Sequence, residues 1–190
     1  MNAPFSAPAA QSRHKFTIDD ALEMTARGLI GKRTELLDGE IYDMADDGDR
    51  HISVTMELMR GIVSVLPRES YFVGVQTTLR LSKHNAPSPD IYVLAGGPPD
   101  GVVSAERILL VIEVADTSIK DDLADSASRY ARHGVREFWV VDVNARVTHV
   151  HRGAVDGAYP PPRRVDADTP LRPALIPDLA IILDDIAPAD

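Results

Sequence analysis

The stretch RILLVIEVA, residues 107–115, decides the fold. It is the most apolar run in the chain, and its length and β-branched residues suit a strand buried on both faces. Such a strand sits inside a sheet, with further structure packed above and below it. Glu113 stands within this run. A carboxylate there would be desolvated, and an unpaired buried charge is very costly. Glu113 must therefore be paired with a base, protonated, or bound to a metal ion.

Reading forward, Ser118 with Asp121 resembles a capping box, and residues 119–133 carry Leu123, Ala127, Tyr130 and Ala131 at helical spacing. Gly134 supplies the stop. EFWVVD, residues 137–142, reads as another buried strand in which Trp139 is packing. VTHVHR, residues 147–152, alternates as an edge strand. Residues 153–164 read as loop. The closing stretch, residues 171–186, is apolar but undecided in type.

Reading backward, Asp90 follows a proline at the head of the short apolar strand DIYVL. YFVGVQTTLRLS, residues 71–82, suggests two strands kinked near Gly74. His51 to Leu66 shows the stripe Ile52, Met56, Met59, Ile62, Val63 and Leu66 of an amphipathic helix, ended by Pro67. The polar segment DDGDR before it reads as loop. In TELLDGEIYDM, Asp38-Gly39 between strand-like runs predicts a tight hairpin. Phe16 to Gly28 reads as a helix capped by Thr17 with Asp20. These elements predict one mixed sheet flanked by helices, of the α/β or α+β class. A single domain over residues 16–190 follows a loose polar tail over residues 1–15.

Composition agrees with one folded domain: 190 residues, 44% hydrophobic and 26% charged. No apolar run approaches the length of a membrane span. The absence of cysteine excludes disulfides, zinc–thiolate sites and cysteine nucleophiles, and fits the cytoplasm. The net charge of −9 argues against a broadly basic nucleic-acid surface, so any contact with phosphate needs a local basic patch or bound cations. There is no P-loop, no GxGxxG opening a helix, no HExxH and no GxSxG.

Two carboxylates on neighbouring strands, Asp90 and Glu113, can share one hard cation such as magnesium, which prefers oxygen ligands and keeps waters for substrate. Alternatives stay open for each: a salt bridge from Glu113 to Arg107 or Arg136, and a strand-start turn cap for Asp90. Glu35 and Glu40 flank the hairpin turn, where one of them can add a carboxylate or both face solvent. His51 begins a helix beside the acidic loop. His149 and His151 share one strand face but have no third ligand nearby for zinc.

The segments PDIYVL, LLVIEVADTS and YARHGVREFWVVD, with the opening ELLDGEIYDM and His51, resemble the Uma family of restriction endonucleases, within the PD-(D/E)XK nuclease superfamily. The resemblance covers roughly residues 16–150. It implies a restriction-endonuclease-like mixed sheet flanked by helices and a Mg2+- or Mn2+-dependent endonuclease acting on DNA. Carried over, it makes Asp90 and Glu113 metal ligands, with the backbone carbonyl of Val114 as a third. His51, Asp122 and Tyr130 also match family positions; Asp122 would bind metal or cap its helix, and Tyr130 at helical spacing reads as core.

The chain departs from the pattern where the superfamily expects lysine. Two residues after the glutamate stands Ala115, and the family's alternative lysine, four residues after Asp122, is replaced by Ser126. Arg129, three residues on and about 300° round the helix, is the nearest cation on that face, whereas Lys120 faces away. The reading is therefore an endonuclease, weakened by Ser126, with a catalytically impaired nucleic-acid-binding or assembly module as the alternative. A homodimer or higher homo-oligomer is expected because the VTHVHR edge needs covering and two-fold pairs suit duplex DNA.

Overall fold

The computed structural model describes residues 13–115 and 122–186, with the side chains of Asp122 and Leu123 outside that description. Helix α1 (Ile18–Ala26) opens with the reciprocal Thr17–Asp20 capping box. Strands β1 (Thr34–Leu37) and β2 (Glu40–Asp43) form the hairpin, with Asp38 and Gly39 both at positive φ. Helix α2 (Asp49–Val65) leads to β3 (Tyr71–Val75), β4 (Ile91–Ala95) and β5 (Ile108–Ala115). A π-helical turn (Asp122–Ser126) runs into α3 (Ala127–Arg132). Strands β6 (Glu137–Asp142), β7 (Val147–Arg152) and β8 (Arg163–Asp166) follow, and α4 (Leu183–Ile186) closes the described chain.

The six-stranded sheet has the order β3-β4-β5-β6-β7-β8, parallel only between β5 and β6 and antiparallel elsewhere. The parallel pair exists because the chain leaves β5, passes through α3 on one face and returns, as a parallel connection requires. Alternation along the strands divides the core. Ile91, Val93, Ile112, Trp139 and Val141 pack with α2 residues Val54, Leu58 and Ile62 on one face. Tyr92, Leu94, Val111, Ala115, Phe138 and Val140 pack with Tyr130 of α3 on the other. Glu113, two residues from Val111 and from Ala115, shares the α3 side.

Three expectations need correction. VTHVHR is not an edge: β8 pairs along β7, so the physical reason given for oligomerisation falls away. Residues 153–164 are correspondingly not all loop. β8, RRVD, buries only Val165, leaving no alternating apolar pattern to read. The second strand expected within residues 71–82 does not form. β3 ends at Val75, and the backbone leaves the strand at Gln76 with φ 45°; beyond it Leu79 and Leu81 bond to Pro87 and Asn85 as a loop. Gly74 is needed for a different reason: a Cβ there would lie 2.2 Å from the Tyr92 ring, which covers the backbone. Of the tail expected over residues 1–15, the described part is residues 13–15, where Arg13 pairs with Glu40 at 3.2 Å and Lys15 packs against Gly39; residues 1–12 lie outside the described residues.

The undecided closing segment is irregular chain carrying Leu171, Ile176, Leu179, Ile181 and Leu183 onto the α2-side core. A Leu171–Ile181 bridge closes it. Among the described residues no helix is long and apolar enough to cross a membrane.

His151 is buried, stacked on Phe138 with centroids 5.4 Å apart and flanked by Tyr159. Burial, with His149 second, pushes its pKa from 6.5 down to about 4. Between these values the unfolded chain binds a proton that the folded chain refuses. Stability is therefore full above pH 6.5 and falls as pH drops toward 4. Urea denaturation at pH 7 and pH 4.5 should show this loss in the parent and a smaller one in His151→Leu. Equal losses in the two proteins would assign the acid sensitivity elsewhere.

Candidate active site

The β4–β5 register pairs Ile91 with Ile112, and one step further Asp90 stands opposite Glu113. Directly opposed residues project on the same face, so the two carboxylates are neighbours by construction. Each is tied to the other's strand. The Asp90 backbone N–H donates to Glu113 Oε2 at 3.1 Å, and the Val114 N–H donates to Asp90 Oδ2 at 2.7 Å. Tyr130 donates its hydroxyl to Glu113 Oε1 at 2.8 Å. Burial first, then the Glu113 charge, raises the Tyr130 pKa well above its ordinary value, so it remains a phenol donor. Helical spacing correctly placed Tyr130 in the core but gave no sign of this hydroxyl contact.

The alternative salt bridges to Glu113 find other partners. Arg107 donates to the carbonyls of Ala95 and Gly97, and Arg136 to that of Glu106. His51, buried at the start of α2, places Nε2 3.0 Å from Asp90 Oδ2. Its Nδ1 lies 3.6 Å from Asp47 Oδ1, too far for a hydrogen bond.

These groups line a cleft of about 740 Å³ together with Asp43 at the end of β2, Asp46 and Asp47 of the acidic loop, and Ser126 and Arg129. Ser126 and Arg129 thus line the same cleft as the two carboxylates. Arg129 Nε is buried and, among the described residues, has no hydrogen-bond partner. Of the hairpin glutamates, Glu35 lines the cleft and accepts from the Ser88 N–H at 2.5 Å. Glu40 instead points to Arg13 and Tyr42 and is not part of the wall. Alternation does not separate them, since Glu35 and Leu37, the partner of Glu40, share a face. β1 bridges to Ala86 through Leu36 and so sets Glu35 beside Ser88, whereas Glu40 lies on the outer strand next to the turn. The side chain of Asp122, like all of Lys120 and the Ser118–Asp121 cap, lies outside the described residues.

Asp47 and Gln76 escaped the sequence reading. The acidic loop before His51 was a visible signal for the first; nothing local marks the second. Among the described residues no three His, Asp or Glu side chains converge tightly enough to encircle an ion. The pair Asp90 and Glu113 nevertheless fits a hard cation that takes one or two carboxylates and fills its remaining positions with water and phosphate oxygens.

A six-stranded mixed sheet flanked by helices thus carries a pair of carboxylates where β4 and β5 meet the cleft. The crystal structure of "a putative nuclease belonging to DUF820" from Anabaena variabilis shares this fold at a TM-score of 0.69, with 17% identity over 90% of this chain and 97% of that one. The model of the Uma2 family, described as "Putative restriction endonuclease", matches residues 22–185, and the chain belongs to this family. No curated protein matches the chain.

Proposed function

We propose that this protein is a Mg2+- or Mn2+-dependent endonuclease that hydrolyses DNA phosphodiester bonds in the cytoplasm. The observation that carries the reading is the side-by-side placement of Asp90 and Glu113 in the lining of an open cleft. Asp90 and Glu113 would hold the ion, with the Val114 carbonyl as a third ligand. When bound, the ion supplies a Lewis acid for the scissile phosphate and lowers the pKa of a water. His51 and the Val114 N–H orient the Asp90 carboxylate, and Tyr130 orients that of Glu113.

Arg129 takes the part of the missing lysine. A guanidinium in the same cleft as two carboxylates can bind a substrate phosphate and stabilise charge growing on its oxygens. Ser126 adds a hydroxyl and no charge, which makes the enzyme slow. Two copies would suit a duplex substrate; any pairing through sheet edges falls to β3 or β8, and light scattering at working concentration decides it.

The testing experiment is cleavage of plasmid DNA with Mn2+. Arg129→Ala should lower the rate by about 100- to 1,000-fold, and Ser126→Lys should raise it. Brisk cleavage that neither substitution changes would remove Arg129 and Ser126 from the site. Ser126 itself favours a second reading, a nucleic-acid-binding or assembly module that has lost catalysis. Mn2+ and DNA binding without cleavage, in the parent and in Ser126→Lys alike, would establish that reading.

A further inference from the structure

Four non-glycine residues have positive φ among the described residues: Asp38, Gln76, Arg146 and Asp156. Asp38, Arg146 and Asp156 lie in tight turns, where such a conformation serves to reverse the chain. Gln76 does not. It follows the last residue of β3, opposite Asp90, and its N–H still bonds to the Asp90 carbonyl at 3.0 Å. A glutamine held in left-handed backbone outside a reversing turn is strained, and strain of this kind persists where surrounding contacts over-determine it.

Those contacts are two carboxylates. Gln76 Nε2 donates to Asp47 Oδ2 at 2.8 Å and, over a longer 3.4 Å, to Asp90 Oδ1. Only the nitrogen end of the amide can donate, so two acidic acceptors fix its orientation. Each carboxylate then meets His51 from the other side, Asp90 through Nε2 at 3.0 Å and Asp47 at 3.6 Å from Nδ1. Asp47 and Asp90 repel one another, and the loop carrying Asp47 has its own anchor outside the cleft. Arg33 reaches Asp46 at 2.8 Å, the Ala45 carbonyl at 3.2 Å and Asp47 at 3.5 Å. Fold integrity does not demand the inner contact.

We infer that Gln76 is a positioning residue: its amide clamps Asp47 beside Asp90, making the loop before α2 part of the metal centre. The inference rests on the proposed metal site and deepens it. Asp47 stands too far back to close a three-ligand ring at present, so it acts on the ion's outer waters and on the electrostatics of Asp90. The left-handed backbone at Gln76 is what aims the amide between the two acids.

The test measures Mn2+ binding by calorimetry, with thermal unfolding of the same proteins. Gln76→Gly accepts the positive φ without strain and removes the clamp. It should weaken Mn2+ binding by about 10- to 100-fold while the Tm holds or rises. Asp47→Asn should show a similar loss, and the double variant no further loss than either single one, because the two groups act as a unit. Gln76→Gly binding Mn2+ like the parent, a lowered Tm with unchanged affinity, or additive losses would each overturn the inference. Asp90→Asn separates this from the site itself. A parent that binds no Mn2+, or an Asp90→Asn variant that binds it fully, overturns the metal reading and the inference together. A large Asp90 effect beside a silent Gln76 overturns the inference alone.

Discussion

Asp90→Asn should fold, lose Mn2+ binding and cut plasmid DNA at least about 1,000-fold more slowly than the parent, and Glu113→Gln should do the same. Both substitutions keep size and an oxygen acceptor while removing charge. In Asp90→Asn the amide oxygen still accepts from the Val114 N–H, which lies 2.7 Å from the present carboxylate oxygen. In Glu113→Gln the amide oxygen still accepts the Tyr130 hydroxyl, now at 2.8 Å, while the longer 3.1 Å bond from the Asp90 N–H is given up. Each change also relieves repulsion between two opposed carboxylates, so unfolding midpoints should hold or rise. Gain of stability with loss of function is the signature of charges retained for chemistry. Undiminished cleavage in either variant would move the active site elsewhere. A fall in stability matching the fall in rate would assign the pair a structural role.

Glu137→Ala should be the most destabilising single change among these, at about 3–5 kcal/mol. Glu137 is 1% exposed and binds three groups at once. Trp139 Nε1 donates to it at 2.6 Å, Arg152 at 2.6 Å from the neighbouring strand, and the Ala174 N–H at 2.7 Å from the closing segment. Truncation leaves a fully buried indole N–H and a backbone N–H unpaired and strips Arg152 of its carboxylate, leaving it the Arg172 carbonyl. It also frees the segment that brings Leu171, Ile176 and Leu179 onto the sheet. At this chain length the loss corresponds to a Tm lower by roughly 10 °C. Glu137→Gln, which keeps acceptors but no charge, should lose less. Urea denaturation measures both. A loss below about 1 kcal/mol for the alanine variant would show the network to be dispensable.

Glu113 and Glu137 also show how far the residues themselves could be read. Both are carboxylates in runs of apolar strand residues, and for each the cost of burial demands a partner. That demand is local chemistry and was legible at Glu113. It applied equally to Glu137, where the strand reading of EFWVVD was right and the question of its charge went unasked. Which partner answers depends on where each strand end lies. The last turn of β5 opens into the cleft, so Glu113 faces Asp90, whereas the start of β6 is roofed by residues 172–174 and faces Arg152 of β7.

The chain alone determined the two central strands, α1 with its Thr17 cap, the Asp38-Gly39 hairpin and the helix that ends at Pro67, because periodicity, capping and turn chemistry act over a few residues. It also marked Asp90 and Glu113 as residues needing an explanation. Tertiary structure decided that they stand opposite one another, since strand register is set by packing across residues far apart in the chain. It placed His51 and Arg129 at the cleft, gave Glu35 rather than Glu40 to its wall, and turned Gln76 toward two acids. It set β8 outside β7, where a single buried valine left no pattern to follow. Each of these depends on which surfaces meet, and that is a property of the folded chain rather than of any window within it.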